Sequence, residues 1–149
     1  MRDVTVIIPV KDEEVGLDFL LSDYSSSNLS SGTIDVGFIF VIDGRTSDNS
    51  REIAEKFSES VINQEETHGK AAAMKQALLE WRKNKSRLVV FLDADGSYSF
   101  ESVESVINEL ENGSDVVSGS RFLDSFSDLS GMSRLHIFGN RVLSYISSI

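Results

Sequence analysis

Two aspartates one residue apart, Asp93 and Asp95, follow the apolar run Val89–Leu92 and precede Gly96. In extended backbone, residues i and i+2 project to the same side, so both carboxylates leave the end of a strand together. Like charges held that close repel and raise each other's proton affinity. A divalent cation removes the repulsion. Mg²⁺ and Mn²⁺ prefer oxygen ligands, and Mg²⁺ is commonly held by one or two carboxylates plus substrate phosphates. The spacing therefore points to Asp93 and Asp95 as ligands of Mg²⁺ or Mn²⁺. The competing arrangement is a capped loop with Asp95-Gly96 as a turn.

Further polar residues fall at comparable places. An early apolar strand ends at Pro9, Lys11, Asp12 and Glu13, a second at Asp43 and Gly44, and a later one at Ser118, Gly119, Ser120 and Arg121. His68-Gly69-Lys70 opens a helix: Gly69 permits close backbone approach, Lys70 supplies a point charge, and a helix amino terminus favours anions. The same three residues also suit an ordinary helix start with a solvated lysine. In open α/β sheets, ligands bind beyond the carboxyl ends of the strands, so convergence of these ends on one edge is what a site requires.

The elements that would bring them together alternate along the chain. Strands are expected at Val4–Val10, Ile34–Ile42, Ser60–Ile62, Arg87–Leu92 and Asp115–Ser118, with Val89–Leu92 suiting a strand covered on both faces. Helices are expected at Asp12–Tyr24, from a cap at Ser47 or Asp48 to Phe57, at Gly69–Lys83, and from Ser99 or Phe100 to Asn112-Gly113. Leu17, Leu20, Leu21 and Tyr24 form one apolar stripe, Met74, Leu78 and Trp81 another, and Val103, Val106, Ile107 and Leu110 a third. Ser25–Gly32 reads as a loop or frayed helix end. Such alternation implies right-handed βαβ units and a mainly parallel α/β sheet flanked by helices in a single domain. The tail from Leu129 to Ile149 carries an apolar helical stripe with Arg134, His136 and Arg141 and no acid. It fits a helix closing the core or one lying against a membrane surface.

Composition sets outer bounds. The 149 residues include 24 acids against 14 lysines and arginines, a formal net charge of −10, which argues against a general nucleic-acid binder. Cysteine is absent, excluding disulfides and thiolate metal sites. No stretch approaches the roughly 20 apolar residues of a spanning helix. The expected location is cytoplasmic, with any membrane contact peripheral, at the cytoplasmic face.

The order VTVIIPVKDEE, FVIDGRTSDNS, THGKAAAMKQAL, VVFLDADGS and SDVVSGSRF resembles glycosyltransferase family 2. The segment SGSRF followed by SRLHIFGNRVLSYI is most similar to the polyprenyl (dolichyl) phosphate sugar transferase branch. The resemblance implies a GT-A fold over residues 1–149, incomplete at the carboxyl end. It also implies an inverting, metal-dependent transfer of a hexose from UDP- or GDP-hexose to a polyprenyl phosphate. Position by position, it places Pro9 and Glu13 in the nucleotide pocket and Asp43 near the base and ribose. Gly69 and Lys70 match a phosphate-side motif, and Asp93 and Asp95 match the D-x-D that meets metal and sugar-nucleotide phosphates. Arg121 and Arg134 match arginines that meet the acceptor phosphate, so Asp95 and Arg121 become the candidate catalytic residues. Lys11-Asp12 and the GRTSD stretch depart from the family's pattern, as do Ile42, where an acid is usual, and His68, beside the matching Gly69-Lys70.

Three other readings compete. One is a non-catalytic nucleotide-sugar-binding module. Another is a haloacid dehalogenase-like phosphotransferase, whose DxDG[TS] motif FLDADGS resembles; that chemistry needs a downstream lysine, and none follows Lys85. The third is a receiver-type signalling domain, which would want the same late lysine.

Overall fold

Val4–Val10 is apolar on both alternating sets of positions, and that pattern suits the middle of a parallel sheet. The computed structural model, which describes residues 2–58, 60–64, 68–83 and 85–119, places this strand (β1) at the centre. The order along the chain is β1 (Val4–Val10), α1 (Glu14–Ser26), α2 (Asn28–Ser31), β2 (Val36–Asp43), α3 (Ser50–Phe57), β3 (Val61–Gln64), α4 (Lys70–Trp81), β4 (Leu88–Phe91) and α5 (Phe100–Glu111). Among the described residues the sheet runs β3-β2-β1-β4, all parallel. The described residues up to Val117 make one compact unit.

The chain builds outward from β1 through β2 to β3, then crosses back by α4 to lay β4 on the opposite side of β1. The reversal creates a crevice beyond the carboxyl ends of β1 and β4, where side chains from both directions of winding meet.

Alternation sorts the core onto two faces. Val4, Val6, Ile8 and Val10 of β1, with Phe38, Phe40 and Ile42 of β2, pack against Leu17, Leu20 and Leu21 of α1, Ala54 of α3, and Phe100, Val103 and Ile107 of α5. Tyr24, Phe38, Phe57 and Phe100 interlock on this face, Tyr24 meeting Phe38 edge-on at 4.8 Å between ring centres. On the other face Ile7, Ile39 and Val41 meet Ala73 and Ala77 of α4. Two alanines let α4 lie close to the sheet.

Several element boundaries differ from the sequence expectation. α1 starts at Glu14 because Asp12 is held at φ 52°, outside the helical region. Ser25–Gly32 contains the short helix α2. β3 runs on to Gln64, which is buried because its side-chain amide donates to the Gly69 carbonyl at 3.3 Å. The buried stripe of α4 is Ala73 and Ala77, with Trp81 packed partly against it; Leu78 is exposed. β4 is an edge strand among the described residues and Phe91 is exposed, so the two-face cover expected for Val89–Leu92 is realised by β1 and β2 instead. Residues 115–118 pair with no strand among the described residues, and Val116 is exposed. Two adjacent valines offer too little apolar surface to fix a strand unaided.

The position of α4 gives a test. Ala77→Leu should cost about 1–3 kcal/mol through overpacking, whereas Leu78→Ala should cost no more than about 1 kcal/mol at a mostly solvated site. Urea unfolding of both variants decides it, and a larger loss for Leu78→Ala would mean that the larger side chains face the sheet.

Candidate functional site

At the carboxyl edge of the sheet lies a cleft of about 350 Å³, a volume within the usual range for a small-molecule site. The end of β1 gives it Pro9, Lys11 and Glu13; β2 gives Val41, Asp43 and Arg45; β3 gives Gln64; the start of α4 gives Gly69, Lys70 and Ala73; and the segment after β4 gives Asp93, Ala94 and Asp95. Every described residue that the resemblance assigned to the site (Pro9, Glu13, Asp43, Gly69, Lys70, Asp93 and Asp95) therefore lines one cavity, whereas Asp12 and Gly44, also at strand ends, do not. Arg121 and Arg134 lie outside the described residues, as does the helical tail.

Asp93 and Asp95 flank the buried Ala94, so their side chains share the cleft side of the chain. They sit just past β4, not within it. Asp93 pairs with Lys70 Nζ. Asp95 Oδ1 accepts from Ser97 N at 2.9 Å and also from the Ser97 hydroxyl, an Asx turn completed by Gly96 at φ 72°. Turn and cleft wall thus coincide. Helix α1 crosses close over this segment at Gly16, where a Cβ would come within 2.5 Å of the Ala94 carbonyl oxygen.

Asp43 is buried and doubly gripped by Arg45, whose Nε donates to Oδ1 at 2.9 Å and Nη2 to Oδ2 at 2.8 Å. The Arg45 amide adds a third bond at 2.9 Å, and His68 Nδ1 lies 3.6 Å from Oδ1. The Arg45 side chain and amide hold the Asp43 carboxyl well below the usual carboxylate range, with His68 contributing through charge. Arg45 and Gln64 were not singled out from sequence. Arg45 had a signal, a cation two residues after a strand-end acid; Gln64 had none, since only the fold brings β3 beside β2.

Glu13 is in the opposite situation. Burial raises its proton affinity first, followed by the charges of Asp95, Asp48, Asp12 and Asp93. The cleft therefore holds surplus negative potential around this carboxyl. Among the described residues no three His, Cys, Asp or Glu side chains are grouped so as to hold a metal by themselves.

Residues 5–146 match the glycosyl transferase family 2 model, and the chain belongs to that family. It is 29% identical over 141 residues to Glycosyltransferase AglJ of Haloferax volcanii, covering 95% of this chain and 43% of that protein; it thus spans less than half of the relative's length. Its fold is similar to that of glucosyl-3-phosphoglycerate synthase from Mycobacterium tuberculosis, solved with uridine diphosphate, with a TM-score of 0.60 and 20% identity over 80% of this chain and 46% of that one. The parallel sheet flanked by helices is the GT-A architecture expected from the sequence. Family membership sets aside the phosphotransferase reading of FLDADGS and the receiver reading.

A pH dependence follows from Glu13. Its raised value means that the folded state binds this proton more tightly than the unfolded chain. The associated stability is full below the ordinary glutamate value of about 4.3 and is lost as pH rises through the raised value. Glu13→Gln removes that loss, so between acid and neutral pH its melting temperature should fall less, or rise more, than that of the unmodified chain. Thermal unfolding across that range checks it; parallel curves would remove Glu13 as the source.

Proposed function

We propose that this chain carries the donor site of an inverting glycosyltransferase that moves a hexose from a nucleoside-diphosphate sugar to a polyprenyl phosphate. The observation supporting this reading is the convergence of Pro9, Glu13, Asp43, Gly69, Lys70, Asp93 and Asp95 on one cleft at the sheet's carboxyl edge. Asp43 lies at the β2 side and Asp93 and Asp95 at the β4 side. Base and ribose are assigned to the first end and the diphosphate to the second. Lys70, at the start of α4, is placed to meet a phosphate by charge. The acceptor assignment rests on the sequence resemblance of the SGSRF and SRLHIFGNR segments. No helix among the described residues is long and apolar enough to cross a membrane.

The cleft fits a divalent cation. Its available donors are carboxylate oxygens, which suit Mg²⁺ or Mn²⁺, and the charges crowding Glu13 mark a local negative potential that such an ion would relieve. Two carboxylates, Asp93 and Asp95, would hold it, leaving further positions for ligand phosphates. Bound there, the ion would stabilise charge on the departing nucleoside diphosphate. Asp95 is assigned to the reacting end of the donor. An acceptor phosphate is already anionic near neutral pH and needs no general base; Arg121 and Arg134 are assigned to orient it by paired hydrogen bonds.

Calorimetric titration of UDP and of GDP, each with and without Mn²⁺, tests the donor site. Metal-dependent binding of one nucleotide is expected, and Asp95→Asn should weaken it about tenfold or more, the scale of a lost charge-assisted contact. Binding that ignores both metal and this substitution would sink the metal assignment. Arg121→Ala should leave nucleotide affinity within about twofold and abolish sugar transfer to a polyprenyl phosphate in a radiolabel assay. Loss of nucleotide affinity instead would move Arg121 to the donor side, and binding without any transfer by the unmodified chain would favour a non-catalytic nucleotide-sugar-binding module.

A further inference from the structure

Two stretches that depart from the family's pattern, Lys11-Asp12 and the loop Gly44–Asp48, meet where Ser47 bonds Asp12. Helices α1 and α3 both start here, and neither is capped by its own N-cap side chain. The amides that open α1 are taken by Asp48 and Ser50, and those that open α3 by Asp48 and by Glu14 of α1. Asp48 Oδ2 accepts from Glu14 N at 2.9 Å, and Ser50 Oγ accepts from Glu13 N at 2.9 Å. In return the Glu14 carboxylate accepts from Asn49 N at 3.2 Å and from Asn49 Nδ2 at 2.9 Å. Asp48 Oδ1 takes both Ser50 N at 3.0 Å and Ser50 Oγ at 2.6 Å, so the buried Ser50 hydroxyl relays Asp48 to Glu13. Asp12, at φ 52°, accepts from Ser47 N at 2.8 Å and Oγ at 3.2 Å and closes the outer side.

Glu13 is the one member of this lattice that lines the cleft, and two of its features depend on the lattice: its amide is fixed by Ser50, and the next amide by Asp48. We infer that Asp48 is a positioning residue for the donor site, holding the Glu13 backbone against the cleft through Glu14 N and the Ser50 relay, with Asp12 holding the loop that carries it. Asp48 does not itself line the cleft. The role requires a carboxylate: one oxygen faces the Glu14 amide and the other faces two Ser50 donors, so both sides demand an acceptor. An asparagine of the same shape supplies an acceptor to one side and turns N–H donors on the other. Asp12 in turn occupies a left-handed conformation that aspartate, asparagine and glycine tolerate.

This inference rests on the nucleotide reading of the cleft, and its test separates the two. UDP and GDP, each with Mn²⁺, are titrated into the unmodified chain, Asp48→Asn and Asp12→Gly at 10 °C, with circular dichroism establishing that each protein is folded. Asp48→Asn should lose about tenfold in affinity for the nucleotide that the unmodified chain binds, the scale of one part-buried hydrogen-bonding site left unmatched. Asp12→Gly, which suits the backbone while releasing Ser47, should lose about threefold and keeps the test open should Asp48→Asn not fold. Unchanged affinity in folded variants, with only the melting temperature lowered, would make the lattice purely structural and overturn the inference alone. An unmodified chain that takes up neither nucleotide overturns the donor-site reading and this inference with it.

Discussion

A parallel sheet with crossover helices sends the amino termini of those helices to one edge, the edge where the strands finish. Each terminus arrives with backbone N–H groups that have no partner inside the helix and with the positive end of the helix dipole. Acceptors must be provided there, and carboxylates provide them best. The crowding of acids at the strand ends of this chain is first of all an answer to that requirement. Asp48 and Glu14 serve α1 and α3 mutually, and away from the strand ends Asp23, near the end of α1, accepts from Phe100 N at 2.6 Å at the start of α5, beside the Ser99 cap.

The same edge is also where a ligand finds exposed donors and room between oppositely wound halves of the sheet. Structural and chemical demands therefore compete for one set of residue types, and the structure separates them by hydrogen bonding. Asp12, Glu14 and Asp48 spend acceptor capacity on backbone amides. Asp43 is satisfied by Arg45, although it still faces the cleft. Glu13 is held by its backbone, so its side chain is left to the cleft and to the repulsion of its neighbours. A carboxylate that is crowded, half-buried and spared from capping is the kind of group whose energy a ligand or cation can lower.

How much of this was legible in the sequence follows from which interactions are local. β1 and β2 declare themselves by continuous apolar runs, and the cleft residues by sitting just after such runs, because in a parallel sheet that position alone puts them on one edge. Helix α4 misled at Leu78, which is exposed; Trp81 does pack against the core, but close packing on the sheet selects the small Ala73 and Ala77. Gln64 was invisible because its burial depends on the neighbouring strand and on the Gly69 carbonyl. The division of labour among Asp12, Glu13, Glu14 and Asp48 was equally hidden. Asp12, Glu14 and Asp48 differ in which amide from a segment more than 30 residues away reaches their carboxylates, and Glu13 makes its long-range bond through its own amide instead.

Charge balance in the cleft adds a final constraint on what it takes up. Its lining carries four carboxylates (Glu13, Asp43, Asp93 and Asp95) against three cations, Lys11, Arg45 and Lys70. Each of those cations already pairs with a carboxylate: Lys11 with Asp12, Arg45 with Asp43, Lys70 with Asp93. The lining thus offers little unspent positive charge, within a chain whose net charge is −10. A nucleoside diphosphate entering alone would add its own negative charges to this field and would have to draw Lys70 or Arg45 away from an existing partner. Entry together with a divalent cation would, under the proposed function, offset those added charges, with Asp93 and Asp95 as the residues that would hold it. Under the proposed function, metal and nucleotide are therefore coupled ligands: each lowers the electrostatic cost that the other meets in this acidic cleft.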